Sequence, residues 1–319
     1  MIKKIAILTS GGDAPGMNPA VKAIVNASIK KGLEPYVVYE GYKGLTEGNF
    51  KKVSKKDVKF IGDKGGTFIY SARFPEFKEE KIRKIAVSKM KKEGIDALIA
   101  IGGDGSYMGA SKLTEMGIKT IGLPGTIDND ISSTDFTIGF HTALSTITKA
   151  VDQIRDTSES HNRANIVEVM GKYCGDLALN AAIAVGAEVL STSERQLPEE
   201  EIVSQTKKAR EEGNRSIIIM VTENIYDVKK LAQKIQSETN IETKATTIGH
   251  PQRGGVPSAE DRILASRMGA FAVEKLIEGQ TNVAVNLVNN KLSTQNILEV
   301  VKMERPSRQE LLNEYDSLN

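Results

Sequence analysis

The chain has 319 residues and a formal net charge of +2, with 43 Lys and Arg against 41 Asp and Glu. This balance argues against a protein that coats nucleic acid or binds membranes through a basic surface. No apolar run approaches the roughly 20 residues that span a bilayer, and the first ten residues lack the pattern of a secretory signal. We therefore expect a cytoplasmic globular enzyme with neither nucleic-acid nor membrane partners.

Short apolar runs alternate with amphipathic segments along the chain. In chain order, we predict a strand at 5–8, a helix at 18–31, strand 36–39, helix 79–93, strand 96–101, helix 106–116, strand 120–123, helix 142–156, strand 165–170, helix 176–185, helix 199–212, strand 216–222, helix 226–239, strand 244–248, helix 259–278 and strand 283–287. This alternation is typical of parallel sheets covered by helices on both faces. The predicted strands are too many for a single sheet of ordinary size. We therefore predict an α/β fold with two doubly wound, mainly parallel β-sheet domains.

Two soft boundaries interrupt this pattern, although no linker rich in Ser or Pro marks them. One lies near 138–140, after a stretch rich in Gly and Asp, and the other near 250–256. Two crossings between the domains at these points would make one domain discontinuous. Ligands of doubly wound sheets bind beyond the carboxyl ends of the strands, so we expect the chemistry in the strand-end loops.

Two of these loops are rich in glycine and lead into predicted helices. The loop at 9–18 suits a phosphate at a helix N-terminus, although it lacks the ending of a Walker A loop and a tight turn is the alternative. The second loop reads Gly-Gly-Asp-Gly-Ser over 102–106. Its carboxylate, Asp104, is the kind of group that a Mg²⁺–nucleotide needs. Ser106 either binds a phosphate oxygen or caps the helix.

Two further loops carry charged side chains. The segment 123–130 contains Asp128 and Asp130, which would point the same way if the segment is extended. Such carboxylates suit a kinase that must orient or deprotonate an alcohol, and an Asx-rich turn is the alternative. The other loop places His250 and Arg253 beside a Gly-Gly pair, where an arginine would hold a phosphate with two hydrogen bonds.

Seven stretches of the sequence together form a pattern that is specific to one protein family, whereas any one of them alone would not be specific. They are 9–18, 65–77, 102–106, 124–130, 155–158, 170–172 and 250–255. Together they resemble the bacterial ATP-dependent 6-phosphofructokinases over essentially the full chain. The resemblance implies a larger nucleotide-binding domain formed by 1–138 and 251–304, and a smaller sugar-phosphate domain formed by 139–250 and 305–319.

The resemblance also implies which residues hold the nucleotide and its metal. Those implied to bind ATP as co-substrate are Gly12, Arg73, Phe74, Gly103, Asp104, Gly105 and Ser106. Asp104 is implied to bind Mg²⁺. Asp128 matches the family's proton acceptor for the 1-hydroxyl of fructose 6-phosphate, and Asp130 supports the metal and the substrate. Thr126 and Lys172 complete the implied catalytic set.

The implied contacts to fructose 6-phosphate come from several loops. They are Thr126, Asp128, Arg163, Met170, Gly171, Lys172, Glu223, Lys244, His250 and Arg253. Arg163 and Lys244 match contacts made across a subunit interface, which implies a homotetramer. Lys172 and Lys244 stand where the family usually has Arg, so we expect weaker binding of the sugar phosphate or slower turnover rather than inactivity.

The family also binds ADP or phosphoenolpyruvate at an effector site between subunits. The positions of this site are Lys22, Asn26, Lys55, Arg155, Gly186, Glu188, Glu212, Asn214 and Arg215. Asn26, Glu212 and Asn214 replace cations, and this loss of positive charge predicts weakened allosteric control. A general drift toward lysine explains Lys22 and Lys55 but not Asn26 or Glu212.

Two alternatives stay open beside the glycolytic kinase. One is a pyrophosphate-dependent phosphofructokinase, but such relatives carry Asp where Gly105 lies and Lys where Gly125 lies. The other is a non-catalytic sensor of sugar phosphates. A sensor would be expected to lose its carboxylates, and all three of Asp104, Asp128 and Asp130 are present.

Overall fold

The computed structural model describes residues 2–318, which divide into two compact units. The first unit contains residues 2–127, 131–142 and 253–305, and the second contains 128–130, 143–252 and 306–318. The short segment 128–130 therefore groups with the second unit, although the chain on both sides of it groups with the first. The sequence pattern did not predict that these three residues belong to the second unit.

The elements follow one another mostly in α/β alternation. In chain order they are β1 Lys4–Thr9, α1 Met17–Lys30, β2 Glu34–Val38, α2 Gly41–Glu47, β3 Phe50–Lys52, α3 Glu80–Glu93, β4 Ala97–Gly102, α4 Asp104–Glu115, β5 Lys119–Pro124, α5 Phe140–His161, β6 Ala164–Val169, α6 Asp176–Val185, β7 Val189–Ser191, α7 Glu199–Glu211, β8 Ile217–Thr222, α8 Val228–Thr239, β9 Thr243–Thr247, α9 Ala259–Ile277, β10 Val283–Val288, β11 Lys291–Asn296, α10 Ile297–Val300 and α11 Gln309–Leu318. Single 3-10 turns lie at Pro75–Lys78 and His250–Arg253.

Within residues 2–318, the first unit holds a seven-stranded sheet of order β11-β10-β5-β4-β1-β2-β3. Its five central strands are parallel, and β3 and β11 are antiparallel to their neighbours at the two edges. Every residue of β4 is buried, as expected for a parallel strand covered on both faces. Helices α1 and α9 pack together closely, because a Cβ on Gly269 would lie 2.9 Å from the carbonyl oxygen of Ala20.

The second unit holds, among its described residues, a parallel sheet of four strands in the order β7-β8-β6-β9. Its core consists of apolar side chains from β6, β8, α7 and α8, including Ile166, Ile219 and Leu231. All six residues of β8 are buried. The predicted fold class, two mainly parallel α/β sheets, is thus confirmed. The strands β3, β7 and β11 and the helices α2, α10 and α11 were not predicted.

Candidate active site

The two glycine-rich loops lie side by side in the first unit because β1 and β4 are parallel neighbours. The N–H of Ser10 donates to the carbonyl of Ile101 at 3.0 Å. The hydroxyl of Ser106, which is buried, donates to the carbonyl of Ser10 at 3.2 Å. Helices α1 and α4 begin within these two stretches, at Met17 and Asp104. Their N-terminal N–H groups therefore lie at the carboxyl edge of the sheet, where a phosphate is favoured.

A third loop completes this part of the first unit. The hydroxyl of Ser71 donates to the carbonyl of Gly11 at 2.6 Å, and that of Thr9 donates to the carbonyl of Tyr70 at 2.9 Å. A cleft of about 410 Å³ lies here, and Gly12 and Arg73 are part of its wall. The structure thus brings these two predicted ATP contacts together.

Phe74, the next predicted ATP contact, is partly buried against the core of the first unit. Its ring lies 6.5 Å from that of Phe77, measured between centroids. Phe74 therefore has a packing role that is independent of any ligand. The sequence alone did not indicate this role.

Asp104 and its two neighbouring glycines form the beginning of α4. The Asp104 side chain is exposed at the first position of the helix. Apart from neighbouring residues and the backbone of the same helix, no heavy atom of residues 2–318 would lie within 4 Å of a Cβ added to Gly103 or Gly105. Neither glycine has a positive φ. Their small size is therefore required neither by packing nor by backbone conformation, and it leaves open space beside a carboxylate.

The surroundings of Asp104 fit a metal ion that arrives together with a nucleotide. No group of three or more His, Cys, Asp or Glu that could hold a metal ion occurs among the described residues. Magnesium bound to a nucleotide needs only one or two carboxylates, because phosphates and water supply its other ligands. A single exposed carboxylate in open space meets that requirement.

Arg253, a predicted sugar contact, belongs to the first unit, as does Thr126. Its guanidinium lies over Gly12, where any Cβ would overlap it. Its Nη1 is 4.0 Å from Oδ1 of Asp13, and its Nε is buried with no hydrogen-bond partner within the described chain. Arg253 also lines the cleft that contains Arg73. Within this unit, Arg253 therefore adds a second cation to the predicted phosphate site.

The loop that follows β5 carries the predicted catalytic residues. Thr126 is held at the end of the first unit, since its N–H donates to Ile138 at 3.1 Å and its carbonyl accepts from the Thr137 hydroxyl at 2.6 Å. Asp128 is 9% exposed. The expectation that Asp128 and Asp130 belong to an extended segment was wrong, because the chain bends after Thr126 and takes a left-handed turn before Asp130.

Five of the predicted sugar contacts of the second unit lie at the carboxyl ends of three neighbouring strands. Met170, Gly171 and Lys172 follow β6, Glu223 follows β8 and His250 follows β9. These strands are adjacent in the sheet order β8-β6-β9. The N–H of Lys172 donates to Oε1 of Glu223 at 2.9 Å, while the Lys172 ammonium lies over the ring of the exposed Tyr173. The structure thus brings these residues to one edge of the sheet.

Gln252 joins two of these loops, and the sequence analysis did not assign it a role. It is fully buried. Its Oε1 accepts from the N–H of Met170 at 3.1 Å, and its Nε2 donates to the carbonyl of Gly249 at 3.0 Å. Its position inside the His-Pro-Gln-Arg-Gly-Gly stretch was the only available signal.

Arg163 and Lys244 converge on a carboxylate that the sequence analysis did not consider. Glu242 lies 2.8 Å from Nε of Arg163 and 3.0 Å from Nζ of Lys244. Hydrogen bonds from these two cations lower the pKa of Glu242 to about 2. The pairing is therefore complete above the ordinary glutamate pKa and is lost only as the pH falls toward 2. At neutral pH any phosphate must compete with Glu242 for both cations.

The predicted effector residues do not come together in one unit. Lys22, Asn26 and Lys55 lie in the first unit, where the ammonium of Lys22 donates to the carbonyl of Lys59 at 2.9 Å. The other six belong to the second unit: Arg155, Gly186, Glu188, Glu212, Asn214 and Arg215.

Arg155 and Glu188 are paired with each other in the second unit. Nη1 of Arg155 lies 3.1 Å from Oε1 of Glu188, and its Nη2 donates to the carbonyls of Val185 and Gly186 at 3.0 and 2.9 Å. The second oxygen of Glu188 accepts from the N–H of Ile218 at 2.6 Å. Hence both terminal nitrogens of Arg155 are already engaged within the second unit.

A cleft of about 620 Å³ contains Glu188, Glu212 and Asn214 in its wall. Its charged lining consists of four carboxylates and two cations: Glu188, Glu201, Glu212, Asp316, Arg195 and Lys208. Arg215 is turned toward Glu159, whose carbonyl it contacts at 3.2 Å. The electrostatic balance of the cleft is thus negative, which opposes an anionic effector.

Comparisons with known proteins give a consistent result. The model of a family described as Phosphofructokinase matches residues 4–276. An ATP-dependent 6-phosphofructokinase of Photobacterium profundum is 52% identical over 319 residues and covers 100% of both chains. Another, from Tolumonas auensis, is 52% identical over 314 residues, or 98% of each chain. Among solved structures, phosphofructokinase from Saccharomyces cerevisiae matches 99% of this chain at a TM-score of 0.89 and 37% identity, and the match spans 48% of the yeast chain.

No helix within residues 2–318 has the length and apolar character needed to traverse a bilayer.

Proposed function

This chain belongs to the phosphofructokinase family, and we propose that it transfers the γ-phosphoryl group of Mg-ATP to the 1-hydroxyl of fructose 6-phosphate. The chain is an ATP-dependent 6-phosphofructokinase, a glycolytic kinase whose products are fructose 1,6-bisphosphate and ADP. The observation that carries this function is the 52% identity to ATP-dependent 6-phosphofructokinases over the whole chain. The open loop at Asp104 and the acidic loop at Asp128 and Asp130 support it.

In the proposed mechanism, residues of the first unit hold the phosphates. Gly12, Gly103 and Gly105 let the backbone approach them, and the N-terminus of α4 supplies N–H donors. Asp104 would hold Mg²⁺, which when bound neutralises charge on the transferring phosphoryl group. Arg73 opposes the remaining negative charge. We place Arg253 beside these residues as a further cation for the phosphate oxygens.

The second unit prepares the acceptor in this mechanism. Met170, Glu223 and His250 bind fructose 6-phosphate at the carboxyl edge of the sheet, and Lys172 adds a cation. Asp128 orients the 1-hydroxyl and takes its proton as the oxygen attacks phosphorus in line. We further propose a homotetramer, in which Arg163 and Lys244 bind the sugar phosphate of a neighbouring subunit.

Gly105 and Gly125 support the choice of ATP over pyrophosphate to different degrees. A Cβ on Gly125 would lie 2.9 Å from Cγ2 of Ile101 and 3.1 Å from Cε of Met17. Packing alone therefore requires a glycine at 125. At Gly105 packing would allow a side chain. The absence of a side chain there is therefore the stronger indication that a nucleotide binds beside this residue.

A comparison of phosphoryl donors tests this proposal. We expect formation of fructose 1,6-bisphosphate with Mg-ATP and a rate at least 100-fold lower with Mg-pyrophosphate at equal concentration. A chain that uses pyrophosphate as well as ATP would contradict the ATP assignment. A chain that binds fructose 6-phosphate but uses neither donor would be the sensor.

Restoring arginine at position 244 should tighten binding of the sugar phosphate. Lys244 is paired with Glu242, and a lysine lacks the planar fork that holds a phosphate with two hydrogen bonds. A contact stronger by about 1 kcal/mol corresponds to a roughly five-fold lower half-saturating concentration of fructose 6-phosphate in Lys244→Arg. Steady-state kinetics measure it, with Lys229→Arg in the same cleft as the matched control. An unchanged half-saturating concentration of fructose 6-phosphate in Lys244→Arg would show that a guanidinium at this position gives no stronger contact with the sugar phosphate than the lysine.

We also propose that ADP and phosphoenolpyruvate act weakly on this chain. The negative cleft around Glu212 predicts less than a two-fold change in rate with either effector at millimolar concentration. Glu212→Lys changes the local charge by two units and should increase the response to at least one of them. Glu211→Lys makes the same charge change outside the cleft and serves as the control. Strong regulation of the unmodified chain would show that the remaining cations suffice.

A further inference from the structure

Asn129 separates the two proposed catalytic carboxylates and has a left-handed backbone, with φ 53°. Few residues other than glycine adopt this conformation, and asparagine tolerates it best. The side chain is 4% exposed, and its Nδ2 donates to Oδ2 of Asp176 at 2.8 Å. The backbone of Asn129 sets the directions of Asp128 and Asp130. A contact that fixes Asn129 therefore helps to hold both carboxylates in place.

Asp176 is the buried acceptor for this amide. It is the first residue of α6 and is 2% exposed. The guanidinium of Arg308 makes two hydrogen bonds to this carboxylate, from Nε to Oδ1 at 3.0 Å and from Nη2 to Oδ2 at 2.9 Å. Two parallel charge-assisted bonds fix orientation as well as position. The same Oδ2 atom thus receives hydrogen bonds from Arg308 and from Asn129.

Arg308 comes from the C-terminal part of the second unit. It directly precedes α11, and its carbonyl accepts from the N–H of Leu312 at 2.9 Å. Helix α11 packs against α6 and has anchors of its own. One is an ion pair of 2.8 Å between Arg195 and Asp316. The docking of α11 and the bond to Asp176 can therefore be separated by mutation.

We propose that Arg308 is a positioning residue, which acts through Asp176 on Asn129 and holds Asp128 and Asp130 in the orientation that phosphoryl transfer requires. This inference rests on the proposed function, in which Asp128 takes the proton of the 1-hydroxyl. Loss of the guanidinium removes the two charge-assisted bonds that orient the Asp176 carboxylate, so that the acceptor of the Asn129 amide is less firmly fixed. The substrates still bind, but the carboxylates spend less time in the reactive geometry, and a small misplacement costs a large factor in rate.

The test compares kcat with KM in Arg308→Gln, Arg308→Lys and Asp316→Asn. We expect kcat of Arg308→Gln to fall 10- to 100-fold, with KM for Mg-ATP within three-fold of the unmodified chain. Arg308→Lys retains the charge without the fork and should recover part of kcat. Asp316→Asn removes only an anchor of α11 and should keep kcat within two-fold. An equal loss in Asp316→Asn, or kcat within three-fold in Arg308→Gln, would overturn the proposal.

Asn129→Gly provides a second route if Arg308→Gln does not fold. Glycine accepts the left-handed backbone, and Asp176 keeps its bond to Arg308. The proposal predicts a kcat at least ten-fold lower in Asn129→Gly. If Arg308→Gln does fold, the double variant should show no further loss beyond the more impaired single variant. A kcat within three-fold in Asn129→Gly overturns the inference alone. An unmodified chain that cannot phosphorylate fructose 6-phosphate overturns the proposed function itself.

Discussion

Asp128→Asn is expected to lower kcat by a factor of about 10² to 10⁴, the range that general base catalysis supplies. Asparagine has the same shape as aspartate but cannot take the proton of the 1-hydroxyl. Because Asp128 is proposed to act on the 1-hydroxyl of the sugar and is not among the proposed nucleotide contacts, KM for Mg-ATP should stay within three-fold. Steady-state kinetics and an equilibrium titration of nucleotide measure both quantities.

The matched control for this variant is Asp135→Asn. Asp135 belongs to the same stretch of chain, but its carboxylate accepts from the backbone N–H of Asn289 outside the proposed site. It should keep kcat within two-fold. If Asp128→Asn lost nucleotide binding and turnover to the same degree, Asp128 would have a structural role. If it lost neither, another group would take the proton.

The second large effect is expected from Gly105→Asp. A carboxylate about 4 to 6 Å from a phosphate at an intermediate effective dielectric costs about 2–4 kcal/mol, which raises KM for ATP by about 30- to 1000-fold. Folding should not suffer, since a Cβ at 105 meets no described atom within 4 Å. An acidic residue in the first turn of α4 and the removal of a helical glycine even favour the folded state.

Gly105→Asn separates charge from size in this experiment, because its amide has the volume of the carboxylate without its charge. We expect Gly105→Asn to retain most of the ATP affinity that Gly105→Asp loses. Thermal unfolding gives the stability, with Tm of both variants at or above that of the unmodified chain. Equal losses of ATP affinity in the two variants would show that crowding, not repulsion, excludes a side chain here. No loss in either would remove Gly105 from the nucleotide site.

The sequence predicted the central strands well because parallel strands buried on both faces are nearly continuous apolar runs. β4 and β8 are examples, and both are fully buried. The strands β3 and β11 escaped prediction since they lie at sheet edges and expose much of their length. Edge strands carry polar residues that prevent pairing with other chains, so they lack the apolar signal.

The glycine-rich and acidic loops of the site were visible in the sequence, but the contacts that hold them were not. Asn129, Asp176 and Arg308 are far apart in sequence, and only the fold brings them together. Glu242, which pairs with Arg163, was likewise not predicted from the sequence. Such pairings depend on tertiary structure, whereas a loop that binds phosphate has a local pattern of glycine and helix start.

The measurement that tests the central claim most directly is a ³¹P spectrum of the products formed from fructose 6-phosphate and Mg-ATP. The account predicts one new phosphomonoester, at the 1-position of the sugar, in amounts equal to the ADP formed. It also predicts no such signal from Asp128→Asn over the same period. Inorganic phosphate without a doubly phosphorylated sugar, or full product from Asp128→Asn, would contradict the account.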